Sequence, residues 1–384
     1  MASQASHSEL KLHQPENFQF NSVPDSHDWL YLYDHPFADP IGPDSVPVID
    51  LTYSKLIEKI GKACEEWGVF LITSHGIQPE LLNQLGSQIH RLFALPTEVK
   101  LKVAKTEARM PGYGGVPSAR FFPKFTWSEG FSITSSPREH AQKLWPDDYS
   151  SFCEVIEEYK KITRQLGCRL MHIMLLSLGL TEEEINHTAI GDSNKILTSM
   201  HLNSYPACPN PDRALGLVPH TDPGLVTILY QDGVSGLQVL RHKDGNGPAR
   251  WVTVPFIPGT LVVNMGDLMH VLSNGRFHNV LHRAVVNKTD QRLSAGQFFV
   301  PPVDVNVGPL NRLITGSQPV YKSVPWLEYW KLRETLYDES LQAIKVDGHG
   351  KEEGEESTCK PRNFGFEHHF DLDKRIGARS NRYK

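Results

Sequence analysis

His220-Thr-Asp222 sets an imidazole and a carboxylate two positions apart in an apolar, strand-like stretch. An extended strand turns alternate side chains to one face, so both can reach a single metal ion with little backbone distortion. A second imidazole is available downstream at His282, within Val280-Leu-His-Arg-Ala284, and Arg292-Leu-Ser294 follows it. Two neutral imidazoles and one carboxylate leave a divalent ion with net positive charge and three vacant positions. That is the facial arrangement suited to a non-haem ferrous ion and oxidation chemistry. Two vacancies fit a bidentate 2-oxo acid and the third fits dioxygen. Arg292 and Ser294 share a face by the same alternation. A guanidinium fork matches the far carboxylate of a dicarboxylic acid, and the hydroxyl adds a hydrogen bond. Tyr205, in the strand-like run Asn203-Ser-Tyr205-Pro-Ala-Cys-Pro, can offer its phenol to the same ligand.

The pair spacing alone is weak evidence. Among 18 histidines, His7/Glu9, His242/Asp244 and His369/Asp371 repeat it. His7 and His369 sit in polar terminal stretches, and His242-Lys-Asp244-Gly-Asn-Gly reads as a hairpin turn. Only His220 is flanked by apolar runs and followed by another His and the chain's sole Arg-x-Ser. For the third ligand, local chemistry leaves His201, His270, His278 and His282 as rivals. His282 has the most apolar surroundings, and His278 lies nearer a turn. His75, between Ser74 and Gly76, reads as a turn residue.

The elements that must position these groups are legible in outline. Leu56, Ile57, Ile60, Ala63, Cys64 and Trp67 recur at helical spacing, and Val69 to Thr73 reads as a strand. Phe152 to Ile173 describes a long amphipathic helix that Gly179 closes. From Leu197 the pattern turns to short strands, 199–205, 226–230, 237–240, 251–254, 261–264, 280–286 and 293–300, parted by Gly, Asn and Asp. This predicts a sandwich or barrel carrying the metal motif. A last helix is expected from Trp326 to Leu341. The arm holds Trp29, Tyr31 and Tyr33, and the tail from Val346 is Gly- and charge-rich and reads as disordered.

The 384 residues carry a formal charge of −5 and 39% hydrophobic residues, which argues against a nucleic-acid footprint and for a packed core. No apolar run approaches a bilayer-spanning length. The opening Met-Ala-Ser-Gln-Ala-Ser-His lacks a secretory core, and Cys64, Cys153, Cys168, Cys208 and Cys359 form no metal-type pairs. A cytoplasmic location, with the nucleus as a further compartment, and a monomer free of membrane and nucleic acid are expected. Cys208, beside two prolines, reads as packing.

The chain resembles the plant family of 2-oxoglutarate- and Fe(II)-dependent dioxygenases. The motifs are Asn203-Ser-Tyr205-Pro, Leu215-Gly-Leu-Val-Pro-His-Thr-Asp222, Gly266-Asp267, Ser273-Asn-Gly275, Val280-Leu-His-Arg-Ala284 and Arg292-Leu-Ser294. Val46-Pro-Val-Ile-Asp50-Leu, Ala63-Cys-Glu-Glu-Trp-Gly-Val-Phe70 and Ser74-His-Gly76 match as well. The resemblance implies a mainly β α+β fold: a double-stranded β-helix (jelly-roll) core with a helical, mixed N-terminal region around it. It implies iron on His220, Asp222 and His282, and 2-oxoglutarate on Tyr205, Asn203, Arg292 and Ser294, with dioxygen consumed and ascorbate as reductant. The expected parts are an arm (1–45), an N-terminal region (46–150), a support helix (151–190), the core (195–305), a C-terminal helix (306–345) and a tail (346–384). Val23-Pro-Asp-Ser-His-Asp-Trp29, Gly112-Tyr-Gly114, Phe121-Phe, Thr126-Trp-Ser-Glu-Gly-Phe131, Leu144-Trp-Pro146 and Ser273-Asn-Gly-Arg-Phe277 are similar to gibberellin 3-beta-dioxygenases. They imply a gibberellin substrate hydroxylated at the 3-beta carbon. Gly115-Val-Pro-Ser and Ala295-Gly-Gln-Phe depart from that pattern and leave the 2-, 7- and 20-positions open. Trp127, Glu129 and Phe131 are candidates for the substrate pocket, with core packing or a hydrogen-bonded structural role as the alternative. Non-catalytic hormone binding and an oxidase needing no 2-oxo acid are competing classes.

Overall fold

The computed structural model describes residue 18 and residues 21–29, 45–105, 111–114, 121–122, 124–188, 190–242, 249–315 and 318–346. The His7 and His369 pairs, Tyr31, Tyr33, the loop after Gly114, the turn after His242 and the tail beyond Val346 lie outside the described residues.

The strands in chain order are Val48–Asp50 (β1), Val69–Thr73 (β2), Gly112–Tyr113 (β3), Glu129–Ile133 (β4), Leu197–Tyr205 (β5), Leu215–His220 (β6) and Val226–Asp232 (β7). They continue as Leu237–His242 (β8), Ala249–Thr253 (β9), Leu261–Met265 (β10), His282–Val285 (β11), Arg292–Val300 (β12), Asn306–Val307 (β13) and Val324–Pro325 (β14). The helices are Leu56–Glu66 (α1), Pro79–Phe93 (α2), Thr97–Lys100 (α3), Arg138–Leu144 (α4), Ser150–Ser177 (α5), Glu182–Asn186 (α6), Asp267–Leu272 (α7), Trp326–Leu336 (α8) and Ser340–Ala343 (α9). An eight-stranded sheet, ordered β1-β2-β10-β7-β12-β5-β4-β3, faces a four-stranded one, β6-β11-β8-β9. Two sheets closed over a shared interior make the expected jelly roll.

Strands β2 and β10 of the major sheet are almost continuously apolar and buried because both of their sides are covered. Along β2, Phe70 and Ile72 join the core beneath the helices, while Val69 and Leu71 join a second core between the sheets with Leu237, Val239, Val252, Val262 and Val280. Helices α1, α2 and α5 supply the outer cover through Ile60, Ala63 and Cys64, through Leu82, Leu85 and Ile89, and through Ile156, Tyr159, Leu170 and Met174. At Gly167 the α5 backbone rides so close to β12 that an added Cβ would lie 2.1 Å from Phe299 Cζ.

Three local expectations differ from what forms. The strand expected over 280–286 is ordered only from His282 to Val285, where the β6 pairing shifts register twice. The helix expected from Trp326 to Leu341 breaks at Tyr337, whose φ of 53° cannot continue it. Helices α2 and α7 were not anticipated; α7 is short and apolar, and local pattern does not separate it from a strand.

Candidate active site

The site lies on the inner faces of the two sheets. Directly opposed residues of an antiparallel pair share a face. Register sets His282 opposite His220, Arg292 opposite Tyr205, and Ser294 opposite both Asn203 and Gln231. His220 ends β6 and Asp222 follows in the turn toward β7, so one strand end delivers both groups.

His220, Asp222 and His282 offer ligand atoms that all lie within 4.8 Å of one another. Asp222 Oδ1 is 3.8 Å from His220 Nε2 and 3.6 Å from His282 Nε2. Each imidazole is committed on its other nitrogen. His220 Nδ1 donates to Val218 O at 2.8 Å and His282 Nδ1 donates to Val280 O at 3.0 Å. Those bonds fix the tautomer that leaves both Nε2 lone pairs bare. Burial, followed by the neighbouring His282, pushes the His220 imidazole well below its ordinary value, which favours the neutral form that can ligate. Thr227 Oγ1 donates to Asp222 Oδ2 at 2.6 Å, which leaves Oδ1 for a metal. Three bare donors converging with their opposite ends occupied fit a divalent cation.

Arg292 is 2% exposed and carries no ion pair with any described residue. Gln231 Oε1 accepts from Nη2 at 2.9 Å, the Tyr205 ring lies 4.9 Å from Cζ, and Nε has no hydrogen-bond partner. Burial pulls the guanidinium below its ordinary value, with Tyr205 acting in the opposite direction. A buried cation without a counter-ion among the described residues costs several kcal/mol, a cost that an anionic ligand would offset. Two glycines make the room. A Cβ at Gly236 would lie 2.6 Å from Arg292 Cδ, and one at Gly216 would lie 2.6 Å from Tyr205 Cδ1.

Helix α8 braces the ligand turn from outside. Arg333 donates to Thr221 O at 2.7 Å, and the Tyr337 hydroxyl donates to Pro219 O at 3.0 Å. Buried Asp267, whose amide donates to Asp222 O at 2.8 Å, accepts from Tyr329 at 2.7 Å and Asn279 at 2.9 Å. Sequence reasoning missed Thr227, Gln231, Tyr329, Arg333 and Tyr337 as supports. Only the Gly266-Asp267 motif signalled any of this.

A profile of the 2OG-Fe(II) oxygenase superfamily matches residues 197–301, and one for the non-haem dioxygenase in morphine synthesis N-terminal region matches residues 46–148. The chain is 42% identical over 347 residues to gibberellin 3-beta-dioxygenase 2-3 of Triticum aestivum, covering 86% of this chain and 92% of that protein. It belongs to the 2OG-Fe(II) oxygenase superfamily. Gibberellin 3-beta-dioxygenase 1 of Arabidopsis thaliana is 42% identical over 339 residues, covering 87% of this chain and 93% of that one. Among solved structures, JOX2 in complex with 2OG, Fe and JA is similar with a TM-score of 0.70 and 29% identity, covering 85% of this chain and 95% of that one. The rice dioxygenase for auxin oxidation follows with a TM-score of 0.65 and 26% identity, covering 79% and 100%. The protein is thus a 2-oxoglutarate-dependent dioxygenase using Fe(II), 2-oxoglutarate and dioxygen.

In this dioxygenase the rival histidines are occupied elsewhere or lie outside the donor cluster. His270, on α7, donates or accepts at both ring nitrogens, with Phe277 O and the Tyr321 hydroxyl. His278 is not part of the cluster. His201 lies on the site-facing side of β5, opposite Gly296 and beside Phe298. His75 spends its nitrogens on Gly259 O and the Ile77 amide, as a turn residue does.

The pocket candidates divide. Trp127 packs with Tyr205, Ala284 and Leu217, next to the Arg292 end of the site. Glu129 and Phe131 oppose Ser204 and Leu202 on β5, so both face the helices, away from Asn203 and Tyr205. Their assignment to the substrate pocket is therefore corrected. Phe131 lies in the helix-side core, and Glu129 accepts from Lys100 at 2.6 Å and from Tyr113. The site-facing positions of β4 are Gly130 and Ser132.

Proposed function

We propose that this dioxygenase hydroxylates a gibberellin at the 3-beta carbon, converting 2-oxoglutarate and dioxygen to succinate and carbon dioxide as the substrate C–H becomes C–OH. The observation that carries this is the run of 40–42% identities to gibberellin 3-beta-dioxygenases over most of the chain. In this reading His220, Asp222 and His282 hold the iron. Arg292, with Ser294, Tyr205 and Asn203, holds the 2-oxoglutarate. When bound, iron and keto acid together supply an oxidant able to attack an unactivated C–H bond. The chain's own residues do the rest. The backbone-anchored imidazoles and Thr227 keep the ligand atoms aimed, and Gln231 keeps the guanidinium turned toward the cosubstrate. The valine-rich packing between the sheets excludes water. Ascorbate acts as accompanying reductant. Helices α1, α2 and α5 back the 195–305 core, and the enzyme works as a cytoplasmic monomer on a small molecule. Among the described residues no helix is long and apolar enough to cross a membrane.

The test is anaerobic loading with Fe(II) and 2-oxoglutarate, then oxygen, with mass spectrometry and product mapping across a gibberellin panel. A 3-beta-hydroxylated product formed in step with succinate is expected. Oxidation at the 2-, 7- or 20-position, or binding without turnover, would overturn the reading.

A further inference from the structure

Lys105 is only 8% exposed; its amide donates to Tyr113 O at 2.8 Å, yet its ammonium makes no hydrogen bond and no ion pair with any described residue. Its direction follows from alternation. Ala104 bridges Tyr113 in parallel, and Tyr113 shares the helix-facing side with Phe131, so the next residue turns to the site-facing side. A Cβ built on Gly114 would meet Lys105 Cδ at 3.8 Å, which sets the lysine stem over the glycine-lined edge of the major sheet. Its charge acts on the His201 imidazole, as does that of Asp222 with the opposite sign. The His201 ring in turn packs on Phe298, 4.8 Å between centroids. Lys105, His201 and Phe298 therefore border the same interior as the iron ligands.

Burial pulls the Lys105 ammonium down to about 8 from an ordinary 10.5, so it remains mostly charged at neutral pH. Burial, followed by Lys105 itself, pushes His201 down to about 3, leaving a neutral ring beside it. A desolvated ammonium on the site-facing side with no counter-ion among the described residues is a place for an anion. The keto acid does not fill it. Arg292 pairs with Tyr205, four residues from His201 on β5, a separation of about 14 Å along the strand.

We propose that Lys105 is the substrate-anchoring residue, its ammonium receiving the carboxylate of an acid substrate whose apolar body lies against Phe298 and the glycine-lined edge. The proposal rests on the gibberellin reading, since gibberellins are rigid polycyclic carboxylic acids. One charged contact at a fixed distance from the iron, made by a rigid molecule, selects which carbon faces the metal. Lys105 thereby contributes to regiochemistry as well as affinity.

The experiment compares the parent with Lys105→Met and Lys105→Arg, using a gibberellin acid and its methyl ester, with KM, kcat and product position measured for each. The parent should favour the acid. Lys105→Met should raise KM for the acid by about 10- to 100-fold, toward that of the ester, while KM for 2-oxoglutarate stays at the parental value. Lys105→Arg should recover part of the preference. Removing a buried charge that has no partner among the described residues should leave the substrate-free melting temperature no lower than the parent's. A lysine with a purely structural role would lower it. Should Lys105→Met fail to fold, Lys105→Gln carries the same comparison, and loss of fold in both counts against the proposal. An undiminished acid-over-ester preference in Lys105→Met overturns the anchor and leaves the gibberellin reading standing. A parent that turns over no gibberellin removes both, and the two failures are told apart by the parent alone.

Discussion

On the two sides of the major sheet lie two clusters of polar groups built on opposite plans. On the helix-facing side, Glu129 takes the ammonium of Lys100 at 2.6 Å and the hydroxyl of Tyr113, and Lys100 also reaches Phe93 O. Charge is matched there. On the inner side, His220 and His282 show bare nitrogens to Asp222, and Arg292 and Lys105 carry charge with no counter-ion among the described residues. Except for the partly exposed His220, burial is comparably deep on both sides, so depth alone does not separate structure from function. Completeness does. A satisfied buried network holds the fold together, whereas a deliberately unfinished one spends stability that bound ligands return.

The sharpest break of that contrast is Asp222→Ala. It removes the only carboxylate in the donor set, and succinate release should fall to background while the circular dichroism spectrum is retained. Turnover at the parental rate would remove the iron site from the inner cluster.

Next in size are two truncations expected to act in opposite ways. Arg292→Met should raise KM for 2-oxoglutarate by roughly 30- to several-thousand-fold, the range for losing one partner of a buried charged contact. Its ligand-free stability should hold or rise. Glu129→Ala strands Lys100 and should cost about 3–5 kcal/mol of unfolding free energy, with KM for 2-oxoglutarate unchanged. Denaturant titrations and steady-state kinetics on both proteins decide it, and matching behaviour would erase the distinction.

Finer effects test the supports. Thr227→Val frees Asp222 Oδ2 and should weaken ferrous binding by about 10- to 100-fold. Arg333→Met touches no ligand directly, acting through the Thr221 carbonyl, Tyr337 and Asp267, and should weaken it less, by no more than about tenfold. Competition with a calibrated chelator reads both. A larger loss from Arg333→Met would make the α8 brace the dominant support.

How far the fold could be read in advance depended on how local each signal is. The helix α5 and strands such as β2 and β7 follow from periodicity, because one or two faces of each meet a core. Arg292 with Ser294 follows from strand geometry; His220 and Asp222 are brought together by the strand end and the turn after it, because β6 stops at His220. Glu129 and Phe131 were misplaced for a physical reason. All five residues of β4 are buried, so alternation in apolarity carries no information about which side faces the site. The break at Tyr337 was equally hidden, since the Arg333 and Tyr337 contacts that hold it reach back to Pro219 and Thr221.

Taken alone, the chain's residues determined the donor chemistry: which side chains can ligate, which can clasp a carboxylate, and which of them neighbours in a strand deliver together. Tertiary structure decided which distant histidine joins that pair, which face of β4 looks inward, and which buried charges stay unpaired. These depend on pairing register between strands far apart in sequence, where a slip of one residue exchanges the two faces.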